Sequence, residues 1–331
     1  MKLKKCAALL LVSSCLLTGW TTSSAKKVDS KYVVASLEKG NKTKNIFADN
    51  LYKDIIDNSS NNSTVFNAVL QNLVDQKFPV NDDMKEDAAT IIKQIKSAYK
   101  SNYGDNYKDS LNQALTSAGY KNLSEYRQKM IKQIQYANFL LDYIDDHFDD
   151  VFNDYYQQCA PKYVSLIKIS VSDTSSPTDD ETSKLNEVKE LISNTDKSFG
   201  DIAQDYSNDS TSSKKGSLGI VDSKDTSGIA NSYGKDVFNA IEALSEGQVS
   251  DVITGDNGYY FVKVTSTDKK TLKKELKKTD IDSPLLAYDD YLQYVVYNSY
   301  KINYKDKDIK KIVQEVVNKA LEERKTERGE A

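Results

Sequence analysis

Tyr163-Val164-Ser165-Leu166-Ile167-Lys168-Ile169-Ser170-Val171 alternates in polarity and is rich in β-branched residues, the pattern of a β-strand. It follows directly on Pro161, where a long helical texture stops. Downstream, Thr178 with Glu181 makes a capping box. Leu185, Val188, Leu191 and Ile192 then recur at helical spacing. Phe199, Ile202, Ala203 and Tyr206 mark a second, short helix, and a Ser/Lys/Gly loop follows it. A helix near Val237–Leu244 and two short strands near Val249–Ile253 and Tyr259–Val264 complete the segment. The order β-α-α-loop-α-β-β describes a compact α+β domain.

Upstream of the strand the pattern is helical. Val65, Phe66, Val69, Leu70, Leu73 and Val74 form one apolar stripe. Ala88, Ile91, Ile92, Ile95 and Tyr99 form another after Pro79, and a third segment with Leu111, Ala114 and Leu115 stops at Gly119. The longest helix is expected to begin near Leu123, capped by Ser124, and to run past Phe152. Asp142, Asp145, Asp146, Asp149 and Asp150 fall within it at helical spacing, which reads as a solvated face. A calcium loop needs a Gly turn that is lacking here. His147, the one histidine of the chain, lies in that acidic run with no second imidazole to form a metal or catalytic pair. Residues 26–62 are polar, with Tyr32-Val33-Val34 as a strand or tether. Beyond 268, Pro284 stands at a helix start, and Ile309, Ile312, Val313, Val316 and Val317 form a last amphipathic stripe.

Several pieces of the α+β segment resemble, in order, the parvulin-type peptidyl-prolyl isomerases. Phe199-Gly200-Asp201-Ile202-Ala203 with Tyr206-Ser207-Asn208-Asp209-Ser210 resembles the family's F-x-x-L-A-x-x-Y-S-x-D helix. Lys215-Gly216-Ser217-Leu218-Gly219 resembles its G-G-D-L-G loop, and Ala243-Leu244-Ser245-Glu246-Gly247-Gln248-Val249-Ser250 its A-L-x-x-G-E-V-S stretch. Gly258-Tyr259-Tyr260-Phe261-Val262-Lys263-Val264 resembles the closing G-Y-H-I-I-K-V strand. With its flanking helices, the Gly119-Tyr120-Lys121-Asn122-Leu123-Ser124-Glu125-Tyr126-Arg127 segment and an export signal, the chain resembles the PrsA-type foldases of Gram-positive bacteria.

The resemblance implies an α+β fold class: a helical chaperone domain with an inserted parvulin-like domain. It divides the chain into a signal at 1–25, helices at 26–158, the parvulin-like domain at 160–268, C-terminal helices at 269–322 that pack with the N-terminal region, and a frayed tail at 323–331. It implies clients that are unfolded or partly folded exported proteins, and no cofactor. Parvulins carry a histidine in the first strand and another in the last; here Lys168 and Tyr260 fill those positions, while the third family position is kept as Asp209. The catalytic set carried over is therefore Asp209, Lys168 and Tyr260, with isomerase activity expected to be weak or absent. The proline pocket falls to Leu218, Tyr233 and either Val237 or Phe238. A fully active isomerase with an altered site and a structural surface lipoprotein are the alternatives. Homodimerisation through the helices is a further expectation from the family.

Charge and motif content narrow the remaining choices. The formal net charge is −4 over 331 residues, which argues against nucleic acid as a partner. Twenty-two tyrosines against nine phenylalanines suggest amphipathic contact surfaces. P-loop, G-x-G-x-x-G, H-E-x-x-H and G-x-S-x-G motifs are missing, and no metal site is expected. Lys2, Lys4 and Lys5 precede an apolar run from Cys6 to Leu17, the form of an export signal. Two processing routes compete: ordinary cleavage after Ser23 and Ala25, or lipidation at Cys15 after Val12-Ser13-Ser14. Leu16-Leu17-Thr18-Gly19-Trp20 looks like a lipoprotein motif with tryptophan in the cysteine's place. The expected location is the outer face of a Gram-positive cell membrane, lipid-anchored or secreted. Cys159, the one cysteine outside the signal, reads as a small buried hydrophobe.

Overall fold

The computed structural model describes residues 27–28, 31–39, 42–194, 196–277 and 281–330. The signal, Cys15 and Trp20 lie outside the described residues. The chain begins with an antiparallel sheet of β1 (Lys27–Val28), β2 (Lys31–Lys39) and β3 (Lys42–Phe47), followed by α1 (Ala48–Ile56) and α2 (Asn62–Lys77). Next come α3 (Asp82–Tyr103), α4 (Tyr107–Ser117), α5 (Leu123–Asp146) and α6 (Phe148–Cys159). The α+β segment runs β4 (Lys162–Ser170), α7 (Asp179–Asn194), α8 (Phe199–Tyr206), β5 (Ser217–Val221), α9 (Ile229–Tyr233), α10 (Lys235–Ala243), β6 (Ile253–Gly255) and β7 (Gly258–Ser266). Then follow α11 (Lys269–Leu276), α12 (Leu292–Ser299) and α13 (Lys307–Glu327). Two compact units result, one of residues 81–290, the other of the described residues before 81 together with those from 291.

In the unit built from both ends of the chain, α2 lies against α13. Val65, Phe66, Leu70 and Val74 are buried on α2, and Ile312, Val313, Val317 and Ala320 on α13. Burial of each valine, leucine, isoleucine or phenylalanine here stabilises by roughly 1.5–3 kcal/mol. The fully buried Phe66 ring stacks on Tyr294 at 4.9 Å and meets Tyr297 edge-on at 5.2 Å.

In the unit of residues 81–290, the helix ends follow local chemistry. Asn81 caps α3 by accepting from Met84 N–H at 2.9 Å. At α5 the cap is Asn122, which accepts from Glu125 N–H, rather than Ser124. Asn122 has the extended backbone a cap needs, whereas Ser124 is already inside the first turn. Gly119, at φ +84°, ends the α4 segment, where Tyr120 N–H reaches back to Leu115 C=O. The long helix expected through Phe152 is broken at His147, whose φ of −119° is not helical. His147 is exposed, stacked on the Tyr143 ring at 4.1 Å, with Nδ1 2.9 Å from Tyr143 O.

The α+β segment is a four-stranded antiparallel sheet in the order β5-β4-β7-β6. Side chains alternate across it. Val164 and Leu166 of β4 join Tyr260 and Val262 of β7 beneath α9 and α10, with Val237 and Ile241 in that core. Ile167, Ile169 and Phe261 face the other way, onto Leu185 and Val188 of α7 and Phe199, Ile202 and Ala203 of α8. Beyond the sequence reading lies β5, an edge strand within the expected Ser/Lys/Gly loop; its five residues include a glycine and carry little strand signal. The expected strand at Val249–Ile253 is shifted: Val249 makes a single bridge to Lys263, and regular pairing begins only at Ile253.

Two polar anchors, one half-buried and one fully buried, tie this segment together. The half-buried Lys162 of β4 donates to the carbonyls of Ile241 (2.9 Å), Glu242 (2.6 Å) and Leu244 (3.1 Å), where α10 runs out of intrahelical partners. Its charge also sits at the negative end of the helix dipole. Asp222, fully buried just after β5, accepts from Tyr155 Oη of α6 (2.8 Å), from Lys224 N–H (3.0 Å) and from the Thr226 hydroxyl and N–H. Ser223 N–H donates to Cys159 C=O at 2.9 Å, and Tyr155 meets the Tyr288 ring edge-on at 5.3 Å.

Candidate functional site

The alternation that buries Leu166 puts Lys168 on the same face of β4, two residues further along. The β4–β7 register sets Lys168 directly opposite Tyr260. The segment after α8 is fastened alongside. Lys168 N–H donates to Ser207 Oγ (3.0 Å), Asn208 N–H donates to Lys168 C=O (2.7 Å), and Ser170 N–H donates to Asn208 Oδ1 (3.0 Å). Ser207 and Asn208, just after α8, thus take up the β4 backbone donors of Lys168 and Ser170 with their side chains. Asp209 is thereby brought to the same end of the sheet.

Asp209 is 7% exposed. Its Oδ1 accepts from Thr211 N–H (2.9 Å), Thr211 Oγ1 (2.8 Å) and the Tyr233 hydroxyl (3.4 Å). Burial, then the negative charge of Asp209, pushes the Tyr233 phenol well above its ordinary value. The Tyr233 ring meets Tyr260 edge-on at 6.2 Å. Tyr260 is also raised, chiefly by burial and then by Asp209 and Asp256.

The polar ends of Lys168 and Tyr260 meet at Asn257. Lys168 Nζ donates to Asn257 Oδ1 at 2.7 Å, and Tyr260 Oη donates to the same oxygen at 2.9 Å. A phenol has one proton, so its hydrogen bond to Asn257 takes the place of one to the carboxylate. The Lys168 ammonium also lies 5.5 Å from the centre of the Tyr260 ring, at cation–π distance. Asn257 was not singled out in the sequence; an asparagine before glycine in a tight turn is ordinarily a turn residue, and that reading hides its side chain.

Of the pocket candidates, Leu218, Tyr233 and Phe238 are half-buried and pack on the Val237–Ile241–Tyr260 core. Val237 is 1% exposed, within that core. The structure therefore brings Leu218, Tyr233, Phe238, Tyr260, Lys168 and Asp209 to one end of one sheet face. Among the described residues, no group of three or more His, Cys, Asp or Glu is placed to hold a metal ion.

Residues 166–266 match the family model of the rotamase, or PPIC-type PPIase, domain. The fold and the site thus define a parvulin domain set among helices. Foldase protein PrsA of Staphylococcus epidermidis is 32% identical over 141 residues, 40% of this chain and 41% of that protein. PrsA of Staphylococcus aureus gives the same figures. The match thus spans about two-fifths of the length of these curated relatives. PrsA from Bacillus subtilis, a crystal structure, aligns over 85% of this chain and 97% of its own at 21% identity and a TM-score of 0.38. PrsA from Streptococcus pneumoniae aligns over 85% and 99%, at 19% identity and a TM-score of 0.39. The chain thus carries a PPIC-type PPIase domain at residues 166–266 and over 141 residues is similar to PrsA foldases.

Proposed function

We propose that this chain is an extracytoplasmic foldase that assists exported proteins after translocation, with a parvulin domain that binds prolyl segments and isomerises them weakly. The carrying observation is the altered network at the site. Lys168 and Tyr260 occupy the two positions held by histidine in parvulins, and both donate to Asn257 Oδ1. The pocket wall persists in Leu218, Tyr233 and Phe238. Rotation about a prolyl bond must break amide resonance against a barrier near 18–20 kcal/mol in an ordinary peptide. A desolvated wall beside Asp209 favours a bound, twisted prolyl segment. Without the imidazole network, a smaller share of that barrier is removed. The helices hold the client meanwhile.

Export through the segment at residues 1–25, an anchor at Cys15 and pairing of two copies belong to the same reading. Radiolabelled palmitate incorporation lost in Cys15→Ala would support the anchor, and a monomer by light scattering at micromolar concentration would remove the pairing. The main test sets the full chain beside Asp209→Ala in NMR exchange on an Xaa-Pro peptide, and in suppression of aggregation of a chemically unfolded secreted enzyme. Suppression of aggregation with little or no isomerisation supports the proposal. Isomerisation at the level of histidine-bearing parvulins, lost in Asp209→Ala, would favour the fully active alternative. Neither activity would defeat both.

A further inference from the structure

The turn between β6 and β7 consists of Asp256 and Asn257 between Gly255 and Gly258, which pair with each other. All the chemistry of this turn points at two side chains. Asn257 Oδ1 accepts from Lys168 Nζ (2.7 Å) and from Tyr260 Oη (2.9 Å), so both lone pairs of the amide oxygen are used. A Cβ at Gly255 would lie 2.7 Å from Tyr260 Cε2. A Cβ at Gly258 would lie 2.5 Å from Ile169 O and 3.2 Å from Lys168 Cε. The two glycines therefore leave room for the Tyr260 ring and the Lys168 stem, and the asparagine between them holds the polar ends of both.

A neutral acceptor suits this place. A carboxylate here would cancel the ammonium charge and add to the negative field of Asp209 and Asp256, which already weighs on Tyr260. An amide orients the ammonium and leaves its charge intact. We propose that Asn257 is the positioning residue of the prolyl site, fixing Lys168 and Tyr260 at the two places where a parvulin has histidine. The inference rests on the reading of this domain as prolyl-binding.

The test uses the full chain, with Asn257→Ala and Asn257→Asp made alone and in a Lys168→Met/Tyr260→Phe background. NMR follows the Tyr260 Cζ and Lys168 Nζ signals, and titration with an Ala-Ala-Pro-Phe peptide gives affinity. In Asn257→Ala both signals shift and peptide affinity falls roughly three- to tenfold, the size expected for a misplaced charge-assisted hydrogen bond. In Asn257→Asp the Tyr260 titration moves further upward, since a carboxylate beside a phenol disfavours phenolate. In the Lys168→Met/Tyr260→Phe background Asn257→Ala causes no further loss, because its partners are gone. Unmoved signals would overturn the proposal. So would an equal loss of affinity in that background, which would mark Asn257 as a turn residue only. A wild-type chain that binds no prolyl peptide would sink the prolyl-binding reading, and with it the purpose given to Asn257. That outcome is told apart from the others because the signals still shift.

Discussion

Tyr155 donates a 2.8 Å hydrogen bond to Asp222, a fully buried carboxylate 67 positions further along the chain. The bond links the last helix before the α+β segment to the loop after its edge strand. Three further donors, from Lys224 and Thr226, converge on the same carboxylate. Removing the acceptor strands all of them in a dry site, and removing the phenol strands only one lone pair. Asp222→Ala is expected to lower unfolding stability by about 3 kcal/mol or more, and Tyr155→Phe by about 1–2 kcal/mol. Urea unfolding followed by circular dichroism measures both. Equal, small losses would mean that the carboxylate is not the hub.

The same phenol sets an alkaline limit. Burial first, and then the Asp222 charge, raises the Tyr155 pKa far above its ordinary value near 10. A tyrosine freed by unfolding gives up its proton around pH 10, whereas the folded one keeps it. The unfolded state then binds fewer protons, and stability falls as pH rises. Stability is expected to be insensitive to this group below pH 10 and to decline above it, by up to about 1.4 kcal/mol per pH unit. Urea midpoints from pH 8 to 11 test this, with Tyr155→Phe flattening the decline.

Lys162 holds three carbonyls at the end of α10. Lys162→Met keeps the aliphatic stem and removes the donors, at an expected cost of about 1–2 kcal/mol. Hydrogen exchange resolves where the loss falls. Amides of Ile241–Leu244 should open first, and uniform loosening of the sheet would contradict the capping role.

Gly216 occupies φ +75°, and a Cβ there would lie 2.5 Å from Leu166 O and 2.8 Å from Ala203 Cβ. Gly216→Ala is expected to cost about 2–4 kcal/mol, through strain and through the contact of β5 with β4. A thermal melt unchanged within a degree would refute the close packing of this turn.

Asp209→Asn removes the negative charge beside Tyr233 while keeping its shape. The Tyr233 phenol pKa should fall toward its ordinary value, though burial, the larger cause, still holds it up. A pH titration of the Tyr233 Cζ signal reads the change directly, and no downward movement would mean that the two side chains do not communicate.

Much of this was legible in the sequence because its signals are local. The capping box appears as written, with Thr178 N–H and Oγ1 on Glu181 Oε2 and Glu181 N–H on Thr178 Oγ1. The strand read at 163–171 is β4 at 162–170, and the α+β order follows from periodicity with the edge strand β5 and the short helix α9 added. What was not legible depends on the third dimension. The amide of Asn257 takes its meaning from two strands that its own turn neighbours do not reveal. The break at His147 leaves no Pro or Gly to announce it. Asp222 and Lys162 each act on groups more than 60 positions away, a distance at which spacing carries no information.

The solitary imidazole, exposed between α5 and α6 and stacked on Tyr143, gives the experimenter an unusual handle. Its two carbon-bound ring protons give one readily assigned pair of resonances that reports whether the bend stays fixed or straightens when an unfolded protein is added.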